Sequence, residues 1–269
     1  MSTPTAQLLR RRLAAIAAGA AAAALLATAS PAAAQARSTA GSPSGARALS
    51  GGAWGTAIEV PGTAALNTVG LAYTSAMSCA SAGNCSAGGH YTDGAAFSSV
   101  FVASQVNGRW GTAKEVPGIA ALNTGGFADI YSASCASAGN CSAGGFYIDS
   151  SGHNQAFVVS QVNGRWGTAK EVPGTAALNT GGNAAVQSLS CASAGNCSAG
   201  GYYTDNFRSP HAFVVSQVNG RWGTAKEVAA NLRGPLIYSL SCAPAGNCSA
   251  GGGYTDSSGH QQAFVVSQT

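Results

Sequence analysis

Nine carboxylates and four histidines are the obvious acid–base groups of this 269-residue chain. Eight of the carboxylates fall into two repeated slots. Glu59, Glu115, Glu171 and Glu227 share one, and Asp93, Asp149, Asp205 and Asp256 share the other. Only Asp129 stands outside the pattern. Glycoside hydrolysis commonly needs two carboxylates held in different environments and given different roles. A residue repeated four times is more economically structural. The repeated Asp is expected to anchor a turn by accepting backbone N–H bonds, and the repeated Glu to lie on an exposed strand edge. His153 and His260 share the loop phrase Ser-Ser-Gly-His, and His211 follows Phe-Arg-Ser-Pro; with His90 they complete the set. The nucleophile-elbow pattern G-x-S-x-G is absent.

The eight cysteines carry a different chemistry. They pair in sequence as Cys79/Cys85, Cys135/Cys141, Cys191/Cys197 and Cys242/Cys248, always as C-x5-C around Ala-Ser-Ala-Gly-Asn or Ala-Pro-Ala-Gly-Asn. Facing positions across such a hairpin lie within disulfide reach. C-x5-C is not the usual zinc spacing and no histidine recurs beside it, so local disulfides are expected and no metal site. No cofactor is called for.

The elements that hold these residues repeat as well. Trp54, Trp110, Trp166 and Trp222 stand 56 residues apart, each opening Trp-Gly-Thr-Ala and then, after one residue, Glu-Val. A period of this length marks one supersecondary unit stacked on its neighbours. Short apolar runs bounded by Gly, Pro, Asn and Asp read as strands. In the third copy four are placed: around 189–191, 197–203, 212–218 and 222–228. The Asn219-Gly220 dipeptide joins the last two as a hairpin. The Phe213-Val-Val run is continuously apolar, so both of its faces should be covered. The Ser, Ala, Gly and Cys of the first two strands suit a place where sheets converge.

This pattern predicts an all-β fold, a four-bladed β-propeller of four-stranded antiparallel blades. The array begins with an outer strand at 54–60 and ends with a third strand at 264–269. Pairing the two would complete the fourth blade and close the ring within a monomer. A solenoid is the competing architecture, but its polar capping repeats are missing.

The remaining sequence bounds the setting. Arg10, Arg11 and Arg12 precede an apolar run, Leu13 to Ala27, and then Ser-Pro-Ala-Ala-Ala-Gln-Ala. This is the order of a secretory signal peptide over residues 1–36, and the run is shorter than the roughly 20 residues of a membrane-spanning helix. Residues 37–51 read as a flexible lead-in and 52–269 as the repeat array. Of 13 basic residues three leave with the signal, so ten face nine acids, about +1. The basic balance is export machinery, and neither nucleic acid nor, after cleavage, a membrane is implied as a partner.

At this point the chain resembles a known family. The phrase Ser-Cys-Ala-Ser-Ala-Gly-Asn-Cys-Ser-Ala-Gly-Gly-Tyr-Tyr-Thr-Asp, followed by Ala-Phe-Val-Val-Ser and Asn-Gly-Arg-Trp-Gly, is similar to the S-C-x5-C-x-A-G-G repeats of secreted actinobacterial β-propeller-like proteins, mostly of unknown function. A more distant resemblance is to sialidase-type Asp-box repeats. Ser160-Gln-Val-Asn-Gly-Arg-Trp166 keeps their Ser, Gly and Trp and lacks their Asp.

Variation between copies concentrates in the loops after the second strand and in the connections that precede the first. Recognition usually lives in such loops on a rigid scaffold. The sequence therefore suggests a secreted module without catalysis of its own, binding an extracellular glycan or protein. The candidate contacts are Asp129, Tyr131, His153, Arg208, His211, Arg233 and His260. The alternative is a carbohydrate-active enzyme using Asp129 and a loop histidine on the same face.

Overall fold

A computed structural model describes residues 52–94, 97–244 and 246–268. The expected signal peptide and lead-in lie outside the described residues. The chain divides into Met1–Gly55 and Thr56–Thr269, and the second unit holds all the sheets.

Thr56–Thr269 is built from four antiparallel sheets, one per repeat. The first contains β1 (Ala72–Ser81), β2 (Asn84–Thr92), β3 (Ser98–Val106) and the short β4 (Arg109–Trp110) and β5 (Lys114–Glu115). The second contains β6 (Ala128–Ser137), β7 (Asn140–Ile148), β8 (Asn154–Val162), β9 (Arg165–Trp166) and β10 (Lys170–Glu171). The third runs through β11 (Ala185–Ser193), β12 (Asn196–Thr204), β13 (Pro210–Val218), β14 (Arg221–Trp222) and β15 (Lys226–Val228). The fourth has three strands: β16 (Arg233–Cys242), β17 (Cys248–Thr255) and β18 (Gln261–Ser267).

The four strands per period are thus present, with the outermost broken into two short pieces. At the hairpins before those pieces, Asn107, Asn163 and Asn219 take φ of 49°, 48° and 49°, and the glycines after them 82°, 79° and 80°. Both residues of the turn need positive φ, which is why Asn-Gly stands there. The apolar third strands are buried on both faces: Val100, Phe101, Val102 and Ala103 in β3, and Ala156 to Val159 in β8. One-turn helices Thr63–Leu66, Ile119–Leu122 and Thr175–Leu178 lead into the first three sheets. The fourth copy lacks five residues there and turns at Ala229 with φ 56° instead.

The small, polar first strands explain how the sheets stack. Their inner strands pack in the order β1, β6, β11, β16. Across each boundary a serine on one inner strand accepts a backbone N–H from the next. Ser78, Ser134 and Ser190 accept from Cys135, Cys191 and Cys242, each at 3.0 Å. On the neighbouring strands Ser86, Ser142 and Ser198 touch the sulfurs of Cys141, Cys197 and Cys248 at 3.3–3.5 Å. All four expected disulfides are formed, Cys79–Cys85, Cys135–Cys141, Cys191–Cys197 and Cys242–Cys248. Each clips the hairpin that carries these contacts.

One expectation is not met. Residues 54–60 form no strand, and the fourth sheet stops at β18. A strand needs a partner edge to satisfy its backbone, and 54–60 has none. No packing of the same extent joins β16 back to β1, so ring closure is not seen among the described residues.

Candidate functional site

Residues that break the repeat converge where the first two sheets meet. The slot after the Gly-Gly of the second strand holds His90 in the first copy, Phe146 in the second, Tyr202 in the third and Gly253 in the fourth. His90 pairs with Tyr73, and Phe146 with Asp129, across their hairpins. Rings then follow one another along the surface. Tyr73 lies 5.3 Å from His90, His90 6.1 Å from Phe127, Phe127 5.6 Å from Phe146, and Phe146 5.3 Å from Tyr131, all tilted. Phe146 is buried, whereas Tyr73, Phe127 and Tyr131 are 57, 39 and 39% exposed. Exposed aromatic rings linked in this way mark an interaction site more often than single exposed rings do.

Asp129 sits inside this strip. Its Oδ1 accepts a hydrogen bond from Ser75 Oγ at 3.1 Å and from the Ile130 N–H at 2.8 Å. His90 Nδ1 approaches the same oxygen to 3.1 Å, but out of line for a hydrogen bond. Oδ2 takes part in none of these contacts. No carboxylate is among these polar partners. Burial and the neighbouring Asp129 and Tyr202 push the Tyr131 hydroxyl up to about 12, so at neutral pH it is a neutral hydrogen-bond donor.

Backbone geometry places Asp129. Register slips between Ile130 and Ser132. At this bulge Gly145 lies so close to the Asp129 carbonyl that a Cβ would stand 1.9 Å from the oxygen. The same approach recurs at Gly89, Gly201 and Gly252, which accounts for the second glycine of each Gly-Gly.

Of the seven candidate contacts, only Asp129 and Tyr131 come together. The others do not join them. His153 Nδ1 lies 4.0 Å from Asp149 and its ring covers Gly182. His260 is exposed, 3.7 Å from Asp256. Arg208 occupies a turn with φ 60°, its N–H donating to the Asp205 carbonyl at 2.8 Å. Arg233 is exposed at the start of β16. His211 is held between two carboxylates, Nδ1 2.9 Å from Glu227 and Nε2 3.2 Å from Asp205, and stacks on Tyr203 at 5.1 Å. Burial would lower its pKa, but the bonds to Glu227 and Asp205 win and raise it. That arrangement is a local clamp within the third sheet.

The repeated acids behave as scaffold. Asp149, Asp205 and Asp256 each accept two backbone N–H bonds of their turn, to Ser151 and His153, Phe207 and Ser209, and Ser258 and His260. The repeated Glu is not a bare edge residue: Glu115 and Glu171 accept the hydroxyls of Tyr91 and Tyr147 at 2.5 and 3.3 Å. Sequence reasoning missed His90, Tyr73, Phe127 and Phe146. Their signal was present as departures from the repeat at positions flanking Asp129.

No family model matches the chain, and no curated relative does. Among the solved structures that are similar in part are the following three. A subtype N11 neuraminidase-like protein of A/flat-faced bat/Peru (H18N11) is 17% identical, with TM-score 0.40, over 72% of this chain and 52% of its own. The Hadza microbial sialidase Hz136 is 9% identical, with TM-score 0.46, over 71% and 43%. A thermostable family-43 glycoside hydrolase is 10% identical, with TM-score 0.32, over 69% and 68%. The chain thus spans about half the length of the first two. Likeness at this level carries no argument about activity, and the functional reading rests on the residues themselves.

Proposed function

We propose that the protein is a secreted β-propeller-type module that binds an extracellular glycan without cleaving it. The observation that carries this reading is the exposed strip Tyr73–Phe127–Tyr131 with Asp129 set in it. A sugar presents an apolar C–H face and a rim of hydroxyls. Aromatic rings cover the first at low conformational cost, and a few fixed polar groups orient the second. Asp129 Oδ2 and the Tyr131 hydroxyl supply an acceptor and a donor. The strip lies open on the surface, which suits recognition of a chain held from one side.

Secretion is supported by the signal-like N-terminus and by four disulfides, which persist in oxidising surroundings. No helix among the described residues is long and apolar enough to cross a membrane. A second reading, a carbohydrate-active enzyme, is favoured by one observation, the approach of His90 to Asp129. It lacks the second carboxylate that glycoside hydrolysis ordinarily uses.

The test is a glycan array probed with the wild type and with Tyr131→Ala. Binding to a restricted set of glycans, lost in the variant, is expected. No retained glycan, or the same set held equally by both, would sink the reading.

A further inference from the structure

Among the described residues the fourth sheet has no outer strand, and the protein contains a segment written for that place. In the complete sheets the third and outer strands pair in one register: Phe101 with Glu115, Phe157 with Glu171, Phe213 with Glu227. The residue after each Phe faces the residue before each Glu, as Val102 does Lys114 and Val214 does Lys226. Carried into the fourth copy, this register sets Glu59 opposite Phe264 and Ile58 opposite Val265. It also brings Glu59 to Tyr254, the counterpart of the Tyr91–Glu115 and Tyr147–Glu171 bonds. Lys becomes Ile at 58, and Val265 is 84% exposed while Ile58 is 67% exposed. Two apolar side chains that the register makes neighbours are both left in water.

The space for the strand is also present. The apolar cluster between the first and second sheets is sealed by Trp166, and that between the second and third by Trp222. The cluster between the third and fourth contains no tryptophan. Beside it is an open cleft of about 540 Å³ lined by Val214, Ser216, Val228, Val266 and Gln268 among others. At the preceding boundary Ser160 Oγ accepts from the Trp222 indole at 3.2 Å and from Gln217 at 2.9 Å. Ser216 and Gln268 are the counterparts of Ser160 and Gln217. The indole is the missing member, and the repeat assigns it to Trp54, whose side chain is fully exposed.

The ends of the array identify the donor. Residues 54–60 lead into Pro61, whose carbonyl accepts from Ala113 at 2.7 Å on the first sheet. The slot is on the fourth sheet. The serine ladder between sheets is likewise open: Ser241, counterpart of Ser78, Ser134 and Ser190, makes no such bond among the described residues. Among the described residues, no packing like that between successive inner strands joins the first sheet to the fourth. Complementary surfaces at opposite ends of one molecule make a heterologous contact. We propose that residues 54–60 of a second copy of this chain add as the outer strand to β18, completing the fourth sheet head to tail. The exposed edge of β18 is what such strand addition uses.

Two single variants, Ile58→Cys and Val265→Cys, co-expressed with distinguishable tags, test this, together with light scattering on the wild-type secreted chain. Expected are a disulfide joining the two tags on a non-reducing gel and a wild-type mass of two or more chains. Failure to join the tags overturns the proposal. So does a double variant, Ile58→Cys/Val265→Cys, that cross-links at the mass of one chain, because the strand then closes its own ring. A wild-type mass of one chain contradicts it even where the variants misfold. None of these outcomes depends on glycan binding.

Discussion

His90 and Asp129 meet across the boundary between the first two sheets, with Nδ1 3.1 Å from Oδ1. Each belongs to a strand whose other copies carry something else, and the stacking of β2 beside β6 brings them together. The aromatic strip is therefore a property of the sheet boundary, positioned by the same serine and disulfide contacts that stack all four repeats. Its geometry should be as rigid as the stack itself.

That positioning depends on Gly145. Any Cβ there would collide with the Asp129 carbonyl, at 1.9 Å, and backbone cannot swing aside as a side chain can. Gly145→Ala is expected to destabilise the protein by more than about 2 kcal/mol, the range of strain at a tightly packed backbone position. Thermal unfolding checks this. An unchanged melting temperature would mean that the bulge is not as close as described.

The repeated Glu is assigned to structure, and Tyr147→Phe separates that role from chemistry. The Tyr147 hydroxyl donates to Glu171, and burial, reinforced by Glu171, raises its pKa, so it stays protonated. Losing a half-buried hydrogen bond to a carboxylate should cost about 1–2 kcal/mol in denaturant unfolding. Glycan binding should be unaffected. A binding defect with unaltered stability would reverse the assignment.

The clamp on His211 makes stability depend on pH. Its folded pKa is raised above the ordinary histidine value of about 6.5. The clamp therefore contributes in full below about pH 6.5 and is lost as pH rises through the raised folded value. The stability difference between wild type and His211→Gln should be largest in mildly acid solution and shrink toward alkaline pH. An NMR titration of the imidazole should show a midpoint above the ordinary value. A midpoint at or below it would contradict the clamp.

Legibility followed locality. The Asn-Gly hairpins, the C-x5-C clips and the doubly buried Phe-Val-Val strands each depend on residues close in sequence, and a repeat states them several times over. Tyr73, His90, Phe127 and Phe146 depart from the repeat as Asp129 and Tyr131 do, but their convergence depends on which sheet stands beside which, and that is not written in the sequence of any one copy. Grouping His153, Arg208, His211, Arg233 and His260 with them assumed that variable loops on one face come together, whereas none of the five reaches the strip around Asp129. The outer strand at 54–60 was legible as a strand, but a strand forms only where an edge receives it.

Binding without cleavage is the central claim, and one experiment addresses both halves. An array-positive oligosaccharide is titrated into the protein by calorimetry, and the recovered sugar is weighed by mass spectrometry. The account predicts saturable binding, weakened at least about tenfold in Tyr131→Ala, roughly 1.4 kcal/mol, with the sugar's mass unchanged. Accumulating cleavage product that disappears in Asp129→Asn would contradict it and make the His90–Asp129 pair catalytic.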